Sequence, residues 1–557
     1  MGVARQRDGS VLACELVSDQ GGLARAVRRF SFLSYDDLFG FLGEREKEKG
    51  GRVRWLWAAA GGWYPELLSG GVRLARCHDV ALVEAVLLGR EGRLGEAATL
   101  AGAWARMHGE RAPRSAVVSP GAQQTLFDTA EPGVPEGDAG LDALIDVYAD
   151  QMKRIEASEG AGRLRLLAAA ESAGGLAAAE MSFDGLPWLA DVHDELLAGL
   201  LGPRSPRGAR PRRLAELAEQ IMAAFGGRQV NPDSPAQLVK AFAAEGVQVP
   251  STRSAVLRSV DHPAVPLLLQ YKELARLHAA HGWAWLDSWV ADGRFRPEYL
   301  VGAVVSGRWA SNGGGALQIP KVLRRAVVAD PGWTLVVGDA AQLEPRVLAA
   351  LAADRAFGQA AAAGDLYAEL AEAFGGDRGK AKIALLSAMY GGAGGEAGQL
   401  LAVLRRRFPD AAGYVEAAAR AGEEGRVVYS VLGRACPPPS AAWRSVTATA
   451  GGAASVRARG RFTRNFVVQA SAADWAVVLL ACLRPRLASL AGAGAGRPHL
   501  VFFQHDEVIV HCPDALTGPV VAAIGEAAQE AGRLVFGATP VRFPVTTAAV
   551  GCYADAK

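Results

Sequence analysis

Cysteine is scarce: six residues in 557 (Cys14, Cys77, Cys436, Cys482, Cys512 and Cys552), with no CxxC pair among them. That spacing signals neither a disulfide framework nor a structural zinc site, and it suits a reducing cytoplasm. Net charge is nearly absent as well, 60 Lys and Arg against 58 Asp and Glu leaving +2. A balance so close to zero neither supports nor excludes a nucleic-acid partner, because phosphate binding depends on local clusters. No apolar run reaches the roughly 18 residues a bilayer crossing needs. The most apolar stretch, 470–483, is interrupted by Asp474 and is expected to be a buried helix, so no membrane partner is anticipated. The first twelve residues carry Arg5, Arg7 and Asp8 without an apolar core, unlike a secretory leader. There is no internal repeat, and the 66 glycines follow no period.

What is present is a globular composition, 50% apolar and 21% charged, with enough length for three or four domains. Residues 1–111 mix short strand-like runs such as Val53-Arg54-Trp55-Leu56-Trp57 with helical stretches, as a small α/β domain would. Residues 112–140 are rich in Pro, Gly, Ser and acids and read as a flexible linker. From 141 to 300 the pattern is mainly helical, broken by a proline-rich segment at 203–213 that carries five arginines. That break reads either as a solvated basic loop or as a contact with a nucleic-acid backbone.

Two segments beyond residue 300 place carboxylates where chemistry needs them. Thr334-Leu335-Val336-Val337-Gly338-Asp339 reads as a buried strand delivering an acid at its end. Downstream, two apolar runs flank His505-Asp506-Glu507, the pattern of a tight hairpin with acids at its tip. Either segment alone is also what an ordinary polar turn looks like. Together, two aspartates on adjacent strands could hold a pair of Mg²⁺ ions roughly 3.5–4 Å apart for phosphoryl transfer.

A phosphate partner has a legible surface between them. Arg378, Lys382, Leu386 and Tyr390 recur every four residues, so each step drifts about 40° and rises roughly 6 Å along one helical stripe. The cations sit at the N-terminal half, where a helix already favours anions, with Asp377 as the expected N-cap and Gly391 as a break. Arg378 and Lys382 could grip a triphosphate while Leu386 and Tyr390 face sugar and base. A solvated basic face is the plainer reading of the same helix.

In order along the chain, these segments resemble the three motifs of the DNA polymerase I family, family A. Residues 339–346 (Asp-Ala-Ala-Gln-Leu-Glu-Pro-Arg) resemble motif A, Arg378-x3-Lys382-x3-Leu386-x3-Tyr390-Gly391 resembles motif B, and Gln504-His505-Asp506-Glu507 resembles motif C. Gly307-Arg308 with the Leu-Gln318-Ile-Pro segment resembles the entry to the palm, and Arg464-Asn465 with Gln469 resembles the stretch lining primer-template. Asn231 to Leu238 and Tyr271-Lys272-Glu273-Leu274 resemble the thumb, so the likeness spans roughly residues 175–557.

The resemblance implies a mixed α/β (α+β) right-hand polymerase with a palm on a mainly antiparallel sheet and helical fingers and thumb, preceded by a small RNase H-like exonuclease-type α/β domain. The expected division is 1–111 exonuclease-like, 112–140 linker, 141–300 helical with the thumb, 301–353 first palm segment, 354–463 fingers and 464–557 second palm segment. It implies two Mg²⁺ ions, with Mn²⁺ as an alternative, held by Asp339, Asp506 and the backbone carbonyl of Ala340. Catalysis would involve Asp339, Asp506, Lys382 and Glu507, with Lys382 as proton donor to pyrophosphate. Nucleotide contacts would come from Arg378, Lys382, Leu386, Tyr390, Gln342 and Glu344, the last excluding a ribose 2′-hydroxyl. DNA contacts would come from Arg308, Gln318, Arg346, Asn465, Gln469 and His505.

Two residues depart from the family pattern: Leu386 replaces a usual aromatic and Ala341 a usual small hydroxyl side chain. The first loses stacking area against the sugar, which bears on sugar discrimination. In the N-terminal domain no Asp-x-Glu pair stands on an early strand, so a degenerate fold without proofreading is expected, with Trp55 to Gly71 and Cys77-His78-Asp79 resembling remnants of the exonuclease-like domain of actinobacterial relatives. Gln123-Gln124-Thr125-Leu126-Phe127 resembles the bacterial sliding-clamp-binding pentapeptide, with Gln123, Leu126 and Phe127 as contacts. The expected protein extends primer-template DNA with dNTPs in repair or replication, in a bacterial cytoplasm at the nucleoid. The alternatives are a polymerase accepting ribonucleotides and a catalytically retired DNA- or clamp-binding protein.

Overall fold

The computed structural model describes residues 1–5, 10–18, 24–111, 133–135, 137–206, 208–312, 318–362, 365–391, 402, 405–448, 452–490 and 496–556. The chain forms two compact units, each assembled from separated segments. The first comprises Met1–Asp184, Glu298–Ala310 and Val336–Ala549, the second Gly185–Pro297, Ser311–Leu335 and Val550–Lys557.

The first unit begins with a five-stranded sheet: β1 (Gly2–Arg5), β2 (Val11–Ser18), β3 (Ala24–Phe32), β4 (Arg54–Trp57) and β5 (Arg76–Asp79), in the order β3-β2-β1-β4-β5. β1, β2 and β3 are antiparallel neighbours, whereas β4 runs parallel to both β1 and β5. Alternation in Trp55-Leu56-Trp57 explains how the sheet is covered on both faces. Trp55 and Trp57 join Val3, Val11 and Ala13 in a core with α1 (Tyr35–Glu48) and α2 (Ala60–Ser69), while Leu56 turns to the opposite core with Cys14, Leu141 and Leu144. Local signals start the helices: Ser34 accepts from the Asp37 amide at α1, and Asp79 accepts from the Leu82 amide at α3 (Val80–Arg90).

Behind this sheet, α4 (Leu100–Met107), α5 (Asp138–Glu156) and α6 (Ala161–Asp184) lead on through the chain. A second sheet has four strands in the order His499–Gln504, Glu507–Pro513, Trp333–Ala340, Val545–Val550, the first two an antiparallel hairpin. Helix Ala453–Ser489 is long and apolar enough to cross a membrane by composition, but nearly nine-tenths of its most apolar window is buried inside the protein. The apolar stretch at 470–483 is thus a core helix. Its one acid, Asp474, is fully buried and accepts from the Leu432 amide at 3.2 Å.

In the second unit the motif around residue 234 is a helix start. Ser234 accepts from the Gln237 amide, Pro235 occupies the first turn, and the Gln237 side chain accepts from the Asn231 amide at 2.9 Å. Tyr271 donates to Asp233 at 2.9 Å, tying helix Ala264–His281 to that start. The arginine-rich break is largely charge-paired: Arg204 with Asp287, Arg210 with Asp233 at 2.9 Å, and both Arg212 and Arg213 with Glu216. Arg207 lies outside the described residues.

Candidate functional site

The hairpin His499–Gln504/Glu507–Pro513 pairs Gln504 with Glu507, leaving only His505 and Asp506 to make the turn. Closing it in two residues requires a left-handed step, and His505 takes it at φ 54° while the Asp506 amide donates back to the Gln504 carbonyl at 2.6 Å. The turn then docks on the end of strand Trp333–Ala340: the Ala340 amide donates to the Asp506 carbonyl at 2.9 Å. Asp339 and Asp506, 167 positions apart in sequence, therefore flank a single backbone hydrogen bond. Gly338 permits the approach, since a Cβ there would meet Val545 Cγ1 at 3.0 Å, Val508 Cγ2 at 3.2 Å and Ile524 Cγ2 at 3.3 Å. Both aspartates are partly exposed, whereas Glu507 is buried on its strand.

Beside the two acids, side chains from two remote segments converge on Glu344. Arg308 donates to one of its carboxylate oxygens and the Tyr390 hydroxyl to the other. Burial, reinforced by Glu344, pushes the Tyr390 phenol up to about 12, while a bond from Gln469 and the Arg308 charge act in the opposite sense. Tyr390 consequently stays a donor across the physiological range. Burial and Arg308 lower the pKa of His505, against the pull of Glu344.

Helix Arg378–Tyr390 has the expected bounds. Asp377 caps it, accepting from the Gly379 and Lys380 amides, and Gly391 ends it at φ 77°. Arg378 and Lys382 are exposed on its first half, and Leu386 and Tyr390 are half-buried on its second. Arg378 Nε donates to Asp365 at 2.7 Å, and its guanidinium lies over the Tyr367 ring.

Other expected contacts are placed differently. Arg346 does not present itself to DNA: it is fully buried, and its guanidinium donates to the carbonyls of Ala341, Ala361 and Arg542, bracing the turn after Asp339. Gln342 also faces inward, at φ 58°, where its amide donates to Asp365 at 2.6 Å and accepts from the Leu366 amide at 2.9 Å. Asn465, with its amide oriented to satisfy both ends, donates to the Met389 carbonyl at 2.8 Å and so grips the end of the Arg378–Tyr390 helix. Gln318 is exposed and belongs to the second unit. Gln123, Leu126 and Phe127 lie outside the described residues.

Sequence reasoning missed Asp365, whose position before the helix Leu366–Ala371 is an N-cap signal, and Arg434, which is buried between Glu171 and Asp474. Among the described residues no group of three or more His, Cys, Asp or Glu side chains could hold a metal. Two carboxylates are what the site offers, a set that suits a hard cation completed by water and substrate phosphate.

Comparison with known proteins places this arrangement. The model of DNA polymerase family A matches residues 208–547. The thermostable DNA polymerase I of Thermus filiformis is 29% identical over 306 residues, which cover 48% of this chain and 34% of that protein. DNA polymerase I of Deinococcus radiodurans is 23% identical over 382 residues, covering 58% and 38% respectively. The chain thus matches little more than a third of the length of these relatives. The POL domain of Pol1 from M. smegmatis, solved in complex with DNA primer-template and dNTP, superposes with a TM-score of 0.72 at 19% identity, covering 100% of this chain and 95% of the other. With three motifs in order, the two aspartates side by side and a family match over more than half its length, the chain belongs to DNA polymerase family A.

Proposed function

We propose that the protein is a template-directed DNA polymerase that adds deoxynucleotides to a primer 3′-hydroxyl, in DNA repair or replication. The observation that carries this reading is the Ala340–Asp506 backbone bond, which sets the two aspartates together beside the Arg308–Glu344–Tyr390 cluster. Asp339, Asp506 and the carbonyl of Ala340 would hold Mg²⁺, and hard oxygen donors of this kind fit that ion. When bound, the metal lowers the pKa of the attacking hydroxyl and offsets charge on the phosphoryl oxygens.

The protein's own residues do the rest. Arg378 and Lys382, exposed on the first half of their helix, receive the triphosphate. The primer hydroxyl releases its proton to water as its oxygen bonds to the α-phosphorus and the bond from that phosphorus to the bridging oxygen breaks, and Lys382 gives a proton to the departing pyrophosphate. Glu344, held at both oxygens, forms a fixed wall against a 2′-hydroxyl. Arg308 and Gln469 read the minor groove of the new pair, and His505 touches the primer end. Absence of proofreading is supported by β1, whose residues Gly-Val-Ala-Arg carry no acid, and by Asp79, whose carboxylate is taken up by the Ala60 and Leu82 amides.

Primer extension on a templated duplex tests the reading. Extension with deoxynucleotides, little with ribonucleotides, and no shortening of a mismatched primer end are expected. A protein that binds the duplex and extends nothing with any divalent metal would overturn it.

A further inference from the structure

The geometry points to Asp365 as a positioning residue that holds the Arg378 guanidinium ready for the incoming triphosphate, an inference that rests on the triphosphate role proposed above for Arg378. A free arginine side chain samples many rotamers, and fixing it in one costs conformational entropy. Here much of that ordering is already done. Arg378 Nε donates to Asp365 Oδ2 at 2.7 Å, and the Tyr367 ring lies beneath the guanidinium at 5.5 Å from its centroid. Among the described residues no acceptor takes the terminal Nη groups. With Nε anchored and one face covered, the Nη edge is the part left to meet a phosphate, in the fork geometry that grips two oxygens at once.

Asp365 can serve as an anchor because its other oxygen is itself fixed. Oδ1 accepts from Gln342 Nε2 at 2.6 Å, from the Tyr367 amide at 3.0 Å and from the Ala368 amide at 3.2 Å. Gln342 in turn accepts from the Leu366 amide and stands three residues after Asp339. A continuous path of hydrogen bonds therefore links the turn behind the first aspartate to the first cation of the helix. Burial alone would raise the Asp365 pKa, but Arg378, Gln342 and the backbone amides together hold it below the usual carboxylate range, so the anchor is charged at neutral pH.

The test is single-nucleotide incorporation on primer-template, with KM for the dNTP and kcat measured for wild type, Asp365→Asn, Arg378→Ala and the double variant. Asn is as good an N-cap as Asp and keeps Oδ1 for Gln342 and the amides, but turns an NH₂ toward Arg378. Asp365→Ser, another good cap, is the second variant, and unchanged thermal midpoints verify the fold. Arg378→Ala should raise KM at least about tenfold, the scale of a hydrogen bond to a charged group. Asp365→Asn should raise KM about two- to fivefold, the scale of an exposed ion pair, with a smaller change in kcat. In the Arg378→Ala background the Asp365 substitution should add nothing. An unchanged or lowered KM in both Asp365 variants, or an undiminished effect without Arg378, overturns the positioning role while leaving the triphosphate role intact. An unchanged KM in Arg378→Ala overturns both.

Discussion

Replacing Arg484 by Met should cost about 3–5 kcal/mol and reverse the pH dependence of stability in mild acid. Arg484 lies on the core helix Ala453–Ser489 and is almost entirely buried. Its guanidinium donates to Glu180 at 2.7 and 2.8 Å and to the carbonyls of Leu74 at 2.9 Å and Ala75 at 3.2 Å, so that one side chain ties α6 and the loop before β5 to that helix. Glu180 also accepts from the Tyr64 hydroxyl at 2.6 Å. Burial opposes its ionisation, but Arg484 outweighs burial and brings the carboxyl down to about 2. A folded pKa near 2 against 4.5 unfolded means stability present above about pH 4.5 and lost as pH falls toward 2.

Without Arg484 the carboxylate is buried with Tyr64 as its remaining close donor, and breaking a buried pair from one side costs about 3–5 kcal/mol. Its pKa then rises above 4.5, the folded state binds the extra proton, and stability increases as pH falls from 7 to 5. Urea unfolding of Arg484→Met at pH 7 and pH 5, followed by tryptophan fluorescence, reads both effects. Adding Glu180→Gln, which keeps an acceptor for Tyr64 and removes the stranded charge, should recover most of the loss. A cost below about 1 kcal/mol, or a variant less stable at pH 5 than at pH 7, would refute the reasoning.

Other consequences follow from the same kind of local arithmetic. Gly307, at φ +83°, is so close to Arg434 that a Cβ would lie 2.6 Å from its Cζ. Gly307→Ala should therefore lose about 1–3 kcal/mol and displace Arg308 from Glu344, read as a lower thermal midpoint together with slower primer extension. In β5, burial lowers His78 to about 4 and raises Asp79 to about 6, so between those values the first makes stability rise with pH and the second makes it fall. Asp79→Asn keeps one oxygen for the Leu82 amide, turns an NH₂ toward the Ala60 amide and removes the second contribution. The variant should lose stability more steeply than wild type from pH 6.5 to 4, whatever its stability at pH 8; equal slopes in a pH series of urea midpoints would show the opposition to be absent.

The chemistry-bearing segments were legible in the sequence because their signals are local. A strand that carries Asp339 next to its last residue, a two-residue turn at His505-Asp506 and a helix fenced by Asp377 and Gly391 each follow from short-range rules. Arg346 and Gln342 show where such rules stop. Both lie in the same run as Asp339, yet they turn inward because their partners, the carbonyls of Ala361 and Arg542 and the carboxylate of Asp365, come from remote parts of the chain. Arg434 was illegible for the same reason, since its partner Glu171 stands 263 positions away. Asp474 left a trace, an acid within an apolar helix, but only the fold says that it receives the Leu432 amide. The compact units are likewise built from discontinuous segments that no scan of local composition separates.

Single-turnover incorporation by rapid quench, with Asp339→Asn, Asp506→Asn and the double variant all saturated with primer-template, most directly tests whether the two aspartates form one site. Each single substitution should slow incorporation by at least about a hundredfold while duplex binding persists, and the double variant should be little slower than either, as residues acting as a unit require. A rate within tenfold of wild type for either single variant, or two losses that simply multiply, would contradict a shared site.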